Sequence, residues 1–218
     1  MAAMILAAGR GERLRPISDT TPKALLEVDG VSLLDQHLRR LAAAGIKTVV
    51  INLGWLGEQI AERTGSGQQF GLQVIYSPEY DNILDTGGGI QRALPLLGSA
   101  PFWVINADVY TDMPLPNEKP RADSLAHLVL VPTPAYKANG DFELRDGKVR
   151  NSDNQDLTYS GIAIYRPEFF AGSGRGRFSV VPLLRAAADR GQLDGSVYEG
   201  IWEDVGTPER LHALIKNT

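Results

Sequence analysis

Leu6-Ala-Ala-Gly-Arg-Gly-Glu-Arg-Leu-Arg-Pro-Ile-Ser-Asp-Thr-Thr-Pro-Lys23, entered directly from the apolar residues Met4 and Ile5, is the stretch that decides how the chain is read. A short strand that runs into small residues and then into Gly9 and Gly11 predicts a tight turn whose backbone N–H groups stay open to an anion. Arg10, Arg13 and Arg15 bring guanidinium groups to that turn, and Lys23 adds an ammonium after Pro22. Glycine amides can approach phosphate oxygens closely while Arg and Lys neutralise their charge, so a polyphosphate is the expected guest. The two commonest phosphate motifs do not fit. Leu14 stands where the dinucleotide fingerprint needs its third glycine, and no Gly-Lys-Ser/Thr follows to make a P-loop.

Outward from this turn the pattern alternates between strand and helix. Ser32 with Asp35 marks a helix start, Leu34, Leu38 and Leu41 recur at helical spacing, and Gly45 ends the run. His37 on that helix reads as packed or solvated, not catalytic. Thr48 to Asn52, Gln73 to Tyr76 and Phe102 to Asn106 are strand-like, with a helix expected from Leu56 to Arg63. Such alternation predicts an α/β fold whose parallel strands are joined by right-handed crossovers, with the ligand crevice at their carboxyl ends.

After Asp112 the texture changes: Pro114, Pro116, Pro120, Pro132 and Pro134 interrupt the alternation. Strands are expected at Ala126 to Val131 and Thr158 to Tyr165, with a hairpin turning at Asp146-Gly147 between them. Residues from about 113 to 165 therefore read as a smaller subregion within one domain spanning 1–218. A helix follows at Val180 to Arg190, then a strand at Gly200 to Glu203. Thr207-Pro208 caps a last helix, and Gly172-Ser-Gly-Arg-Gly176 reads as a surface loop.

Composition narrows the classes. At 218 residues, 43% hydrophobic and 22% charged, the chain can bury a core, and no apolar run approaches the length of a membrane span. A formal net charge of -4 gives nucleic acid no overall attraction, so the basic site is a local one. Met1 to Leu6 lacks the cationic start of a secretion signal and reads as a first strand, which makes the cytoplasm the default compartment. Without cysteine there is no disulfide, thiolate nucleophile or thiolate metal site. Oligomeric state is not legible.

Two carboxylates stand where apolar strands end, Asp108 after Phe102-Trp-Val-Ile-Asn-Ala and Asp204 after Ile201-Trp-Glu. Either alone could be a turn residue. Beside a polyphosphate loop, two such oxygen ligands completed by substrate phosphates and water suit Mg2+.

Leu6-Ala-Ala-Gly-x-Gly-x-Arg13 followed by Pro22-Lys23, together with Trp202-x-Asp204-x-Gly-Thr207, resembles the sugar-phosphate nucleotidyltransferases essentially from end to end. That resemblance implies a Rossmann-like three-layer αβα fold with a mostly parallel central sheet and a small sugar-binding subregion. It implies catalytic roles for Arg13 and Lys23, Mg2+ on Asp108 and Asp204, and nucleotide contacts from Leu6, Ala7, Ala8, Gly9 and Gly11. Thr86, Gly87 and Gly88, in Leu84-Asp-Thr-Gly-Gly-Gly-Ile90, would form the glycine turn that reads the base, and Asn106, Gly140, Asp141 and Ser160 would line the sugar side. Gly140-Asp-Phe and Tyr159 to Tyr165 are most similar to a bacterial subgroup that transfers UMP from UTP to N-acetylmuramate alpha-1-phosphate in cell-wall recycling. For the lactyl carboxylate of such an acceptor, Lys137, Arg145 and Arg150 are the nearby cations. Asp85 and Ala107 depart from the family's usual Glu and Gly. Another sugar 1-phosphate, a guanine nucleotide, or a non-catalytic nucleotide-sugar sensor on the same fold are the competing readings.

Overall fold

The computed structural model describes residues 1–80, 82–115, 119–153 and 155–217; Pro116 lies outside them. The elements run β1 (Ala3–Leu6), β2 (Glu27–Val28), β3 (Val31–Ser32), α1 (Leu33–Ala43), β4 (Thr48–Leu53), α2 (Gly57–Thr64), β5 (Gln73–Pro78) and α3 (Asp85–Leu97). They continue with β6 (Phe102–Asn106), β7 (Val109–Thr111), β8 (Ala126–Pro132), β9 (Glu143–Arg145), β10 (Lys148–Arg150), β11 (Leu157–Tyr165), α4 (Val181–Asp189), β12 (Leu193–Val197), β13 (Trp202–Asp204) and α5 (Pro208–Asn217). Nine strands form one sheet in the order β5-β4-β1-β6-β11-β8-β12-β10-β9. The first four are parallel, and β11 runs antiparallel to both β6 and β8.

Alternation along β1 explains the layers, because successive strand side chains point to opposite faces. Ile5 joins Leu34, Leu38 and Leu41 of α1 and Ile60 of α2 on one face, while Met4 joins Ile90 and Ala93 of α3 and Leu184 and Ala187 of α4 on the other. Helix α1 starts where expected: the Ser32 hydroxyl accepts from the Asp35 N–H at 3.0 Å. Its stop is also the expected one, with Gly45 at a φ of +77°. A third cluster packs Leu211 and Leu214 of α5 against Leu14, Leu26 and Val205, which ties the last helix to the glycine loop.

Residues 113–165 are not set apart from the sheet. Strands β8 and β11 are central in it, and only the β9–β10 hairpin lies at its margin, turning at Asp146 and Gly147 with φ of +56° and +74°. Strand β12, Leu-Asp-Gly-Ser-Val, carries no strand pattern in sequence. It pairs with β8 in parallel from Leu193 opposite Ala126 to Val197 opposite Leu130, so tertiary pairing overrides a weak local preference.

Candidate active site

At the carboxyl ends of β1, β4, β5 and β6 lies a cleft of about 1270 Å³. The loop after β1 presents donors to it, because the protein has already used its other groups. The Ala7 N–H donates to Asn52 Oδ1 at 2.7 Å, the Ala107 N–H to the Leu6 carbonyl at 3.0 Å, and the Trp55 N–H to the Ala8 carbonyl at 3.2 Å. The N–H groups of Ala8, Gly9, Arg10, Gly11 and Glu12 donate to no protein acceptor among the described residues. Donors left open this way require water or a ligand. Gly11 is needed twice over: its φ is +64°, and a Cβ there would come 2.6 Å from Cγ of Lys23. The Lys23 stem thus crosses the glycine and carries its ammonium onto the Asp108 carboxylate, with which it forms an ion pair.

Asp204 is brought next to the Asp108 segment by another route and does not itself line the cleft, although Gly206 does. Sequence placed it at the end of a parallel strand; the structure places it at the end of β13, in a two-stranded antiparallel ribbon with β7 outside the main sheet. The ribbon joins the two aspartates, since Asp204 faces Val109 and the Val205 N–H donates to the Asp108 carbonyl at 2.9 Å. Arg210 of α5 donates to Asp204 Oδ2 at 2.9 Å and stacks over Tyr136 at 4.1 Å. Gly206 lies between Arg13 and Asp204, since a Cβ there would come 3.0 Å from Asp204 Oδ1 and 3.2 Å from Arg13 Nη2. Among the described residues no group of three or more His, Asp or Glu is placed to hold a metal. Two carboxylates with hard oxygen donors suit Mg2+ only when substrate phosphates complete its shell.

Several expected site residues do something else. Arg15 pairs with Asp19 at 3.1 Å and is not part of the cleft wall, whereas Arg10, Arg13 and Lys23 are. Gly87 and Gly88 lie within the first turn of α3, not in a turn before it, and they are absent from the cleft lining. The Gly88 N–H is occupied by the Phe178 carbonyl at 3.0 Å, and a Cβ on Gly87 would strike the Phe178 ring. Thr86 does line the cleft, its Oγ1 accepting from the Val180 N–H at 2.9 Å.

Of the sugar-side residues only Asn106 lines the cleft. Gly140 is buried and hemmed in: a Cβ there would come 2.6 to 2.7 Å from the Leu157 and Gln155 carbonyls and Thr133 Oγ1, so the glycine serves close packing. Asp141 pairs with Lys137 at 2.6 Å and accepts from the Tyr159 N–H at 3.0 Å. Ser160 is 1% exposed, its hydroxyl donating to the Val129 carbonyl at 2.7 Å and accepting from the Ile162 N–H at 3.2 Å. Arg145 and Arg150 lie on the hairpin at the margin of the sheet, on strands remote from β6.

Other cleft residues escaped the sequence reading. Glu79, 2% exposed, accepts from Asn52 Nδ2 and from the Leu84 N–H, both at 2.8 Å, and so links the ends of β4 and β5 to the glycine loop through Asn52. Arg10 stacks over Trp55 at 4.3 Å, while Trp55 Nε1 donates to the Ser18 carbonyl at 2.9 Å. Gly161, at φ +78° in a bulge of β11, admits Asn106, since a Cβ there would come 2.6 Å from Asn106 Nδ2. A glycine inside an apolar strand was the available signal. His37 is buried beneath Val109, its pKa lowered to about 3 by burial first and then by the Arg40 charge, and it is neutral packing as expected.

Comparison with known proteins agrees with this geometry. The nucleotidyl transferase family model matches residues 2–218. The chain is 48% identical to the N-acetylmuramate alpha-1-phosphate uridylyltransferase of Neisseria meningitidis, over 97% of this chain and 95% of that protein. It is 34% identical to the protein of the same name in Caulobacter vibrioides, over 95% and 92% of the two chains. A Bacillus anthracis protein solved in complex with sucrose shares the fold at a TM-score of 0.87 and 22% identity, covering 100% of this chain and 95% of its own. With the cation-flanked glycine loop at the sheet's carboxyl ends, these matches establish that the chain belongs to the nucleotidyl transferase family.

Proposed function

We propose that the protein transfers UMP from UTP to N-acetylmuramic acid alpha-1-phosphate, releasing pyrophosphate and forming UDP-N-acetylmuramic acid, as one nucleotidyltransferase domain acting in the cytoplasm in cell-wall recycling. The observation that carries the transfer chemistry is the row of open amides from Ala8 to Glu12 beside Arg13 and the Lys23–Asp108 pair. Support for the acceptor comes from the name of the Neisseria meningitidis relative.

A sugar phosphate is already an anion, so in-line attack of its phosphate oxygen on the alpha-phosphorus needs no general base. Catalysis can rest on positioning and charge neutralisation. The amides of Ala8 to Gly11 and the guanidinium of Arg13 would hold the beta- and gamma-phosphates that leave together. Lys23, ion-paired with Asp108, would balance charge on the alpha-phosphate and the acceptor phosphate. Mg2+ held by Asp108 and Asp204 would neutralise charge on the reacting phosphates. Arg210 donates to the Asp204 carboxylate, and Asn106, in the cleft wall at the end of β6, would face the acceptor.

The test is pyrophosphate release on mixing UTP, Mg2+ and each of three acceptors. N-acetylmuramate 1-phosphate is expected to exceed N-acetylglucosamine 1-phosphate at least tenfold in kcat/KM, or about 1.4 kcal/mol of transition-state stabilisation. Equal use of the glucosamine compound, or of mannose 1-phosphate with GTP, would overturn the acceptor and leave nucleotidyl transfer standing. No pyrophosphate with any pair would overturn both.

A further inference from the structure

The segment Gly172 to Gly176, a plain surface loop by sequence, runs through Arg177 into Phe178, which is bound to the helix that starts on the cleft's edge. The Phe178 N–H donates to the Leu84 carbonyl and the Gly88 N–H to the Phe178 carbonyl, each at 3.0 Å, and the Val180 N–H reaches Thr86 Oγ1 at 2.9 Å. Gly87 and Gly88 make this docking possible, since a Cβ on the first would meet the Phe178 ring and on the second the Gly176 carbonyl. The consequence is that Gly176 and Arg177 become part of the cleft wall, beside Leu84, Asp85 and Thr86.

Two of the phosphate cations lie away from this wall: Lys23 pairs with Asp108 and Arg13 stands beside Gly206, while Arg10 stacks over Trp55 after β4. Arg10, Arg13 and Lys23 surround the loop after β1, and Asp108 follows β6 on one side of it. The wall formed by Tyr80 and by Asn82 to Thr86 follows β5, on the other side of β1 in the sheet order. With phosphates on the loop and the acceptor beyond Asp108, the remaining part of a nucleoside triphosphate extends toward that wall. Arg177 is exposed there, and among the described residues it makes no hydrogen bond or ion pair with the protein. Its guanidinium offers several donors and no acceptor, which suits the carbonyl edge of a pyrimidine or the hydroxyls of a ribose.

We propose that Arg177 is a nucleoside-binding residue of the transfer reaction, held at the cleft by the docking of Phe178 on Gly87 and Gly88. The inference rests on the nucleotidyl-transfer reading above. Its test uses both directions of the reaction catalysed by the full chain. In Arg177→Ala the KM for UTP and, in reverse, for the uridine diphosphate sugar is expected to rise about tenfold, as for loss of one charge-assisted hydrogen bond, while the KM for pyrophosphate moves less than twofold. Gly88→Ala is expected to give the same signature, and to add little when introduced into Arg177→Ala, because both act through one contact. A parallel rise in the KM for pyrophosphate would place Arg177 on the leaving phosphates and overturn the proposal, as would an unchanged KM for UTP. Full additivity of the two substitutions would overturn the docking part. An inactive wild-type chain would instead condemn the transfer reading itself.

Discussion

The loop from Ala8 to Glu12 and the trio Gly140, Asp141 and Ser160 were both expected at the ligand site on the strength of small or polar residues, yet they do opposite things. In the first, the carbonyls of Leu6 and Ala8 are occupied by protein donors and the amides are left open toward the cleft. In the second, protein partners satisfy the Gly140 N–H, the Asp141 carboxylate and the Ser160 hydroxyl. Residue type did not separate a ligand loop from a packed one. The balance of satisfied and unsatisfied hydrogen-bonding groups did.

The comparison is tested most sharply at its open end. Asp108→Asn is expected to lower kcat by roughly 10² to 10³ while leaving the thermal midpoint within a few degrees, as when one preorganised charge is lost from a site. Lys23→Ala should act mainly on kcat, because the charge it balances grows in the transition state. Wild-type rates in Asp108→Asn with Mg2+ present would remove the carboxylate from the chemistry.

At the packed end the signature reverses. Gly140→Ala forces a methyl against three oxygens at 2.6 to 2.7 Å. It should cost up to about 3 kcal/mol in urea unfolding, as overpacking does, with both KM values unchanged in the folded enzyme. A selective rise in the KM for the sugar phosphate would return Gly140 to the binding site and break the contrast.

His37 gives a third reading, of a titratable group buried on α1 beside Arg40, where it serves packing. The unfolded chain takes a proton on this residue below about 6.5, but the folded protein does so only below about 3, so the unfolded state holds more protons in that window. Stability from this group is therefore complete above pH 6.5 and declines as pH falls toward 3. Between pH 7 and pH 5 the loss should be about 2 kcal/mol, and His37→Gln should flatten that part of the urea-midpoint profile. The smallest effect is expected for Ser160→Ala, about 1 kcal/mol from the bonds to Val129 and Ile162, without change in KM.

Sequence by itself determined the elements with strong local signals: the glycine loop, the Ser32 cap and Leu34-Leu38-Leu41 stripe of α1, the apolar parallel strands, and the Asp146-Gly147 hairpin. Each depends on neighbours a few residues away, so periodicity and turn chemistry suffice. The place of Arg13, Lys23 and Asp108 in the cleft wall was legible too, because motif spacing ties the first two to the loop after β1 and the third to the end of β6. Only the tertiary structure decided the rest. It paired β12 with β8, set Asp204 on a separate ribbon, and spent the groups of Gly88, Gly140 and Ser160 inside the protein. It also buried Glu79 against Asn52 and brought Arg177 to the cleft through glycines about ninety positions away. Those outcomes depend on which distant backbone group arrives to satisfy a donor or fill the space of a missing Cβ, and that is fixed by packing between elements, not by the order of residues within one.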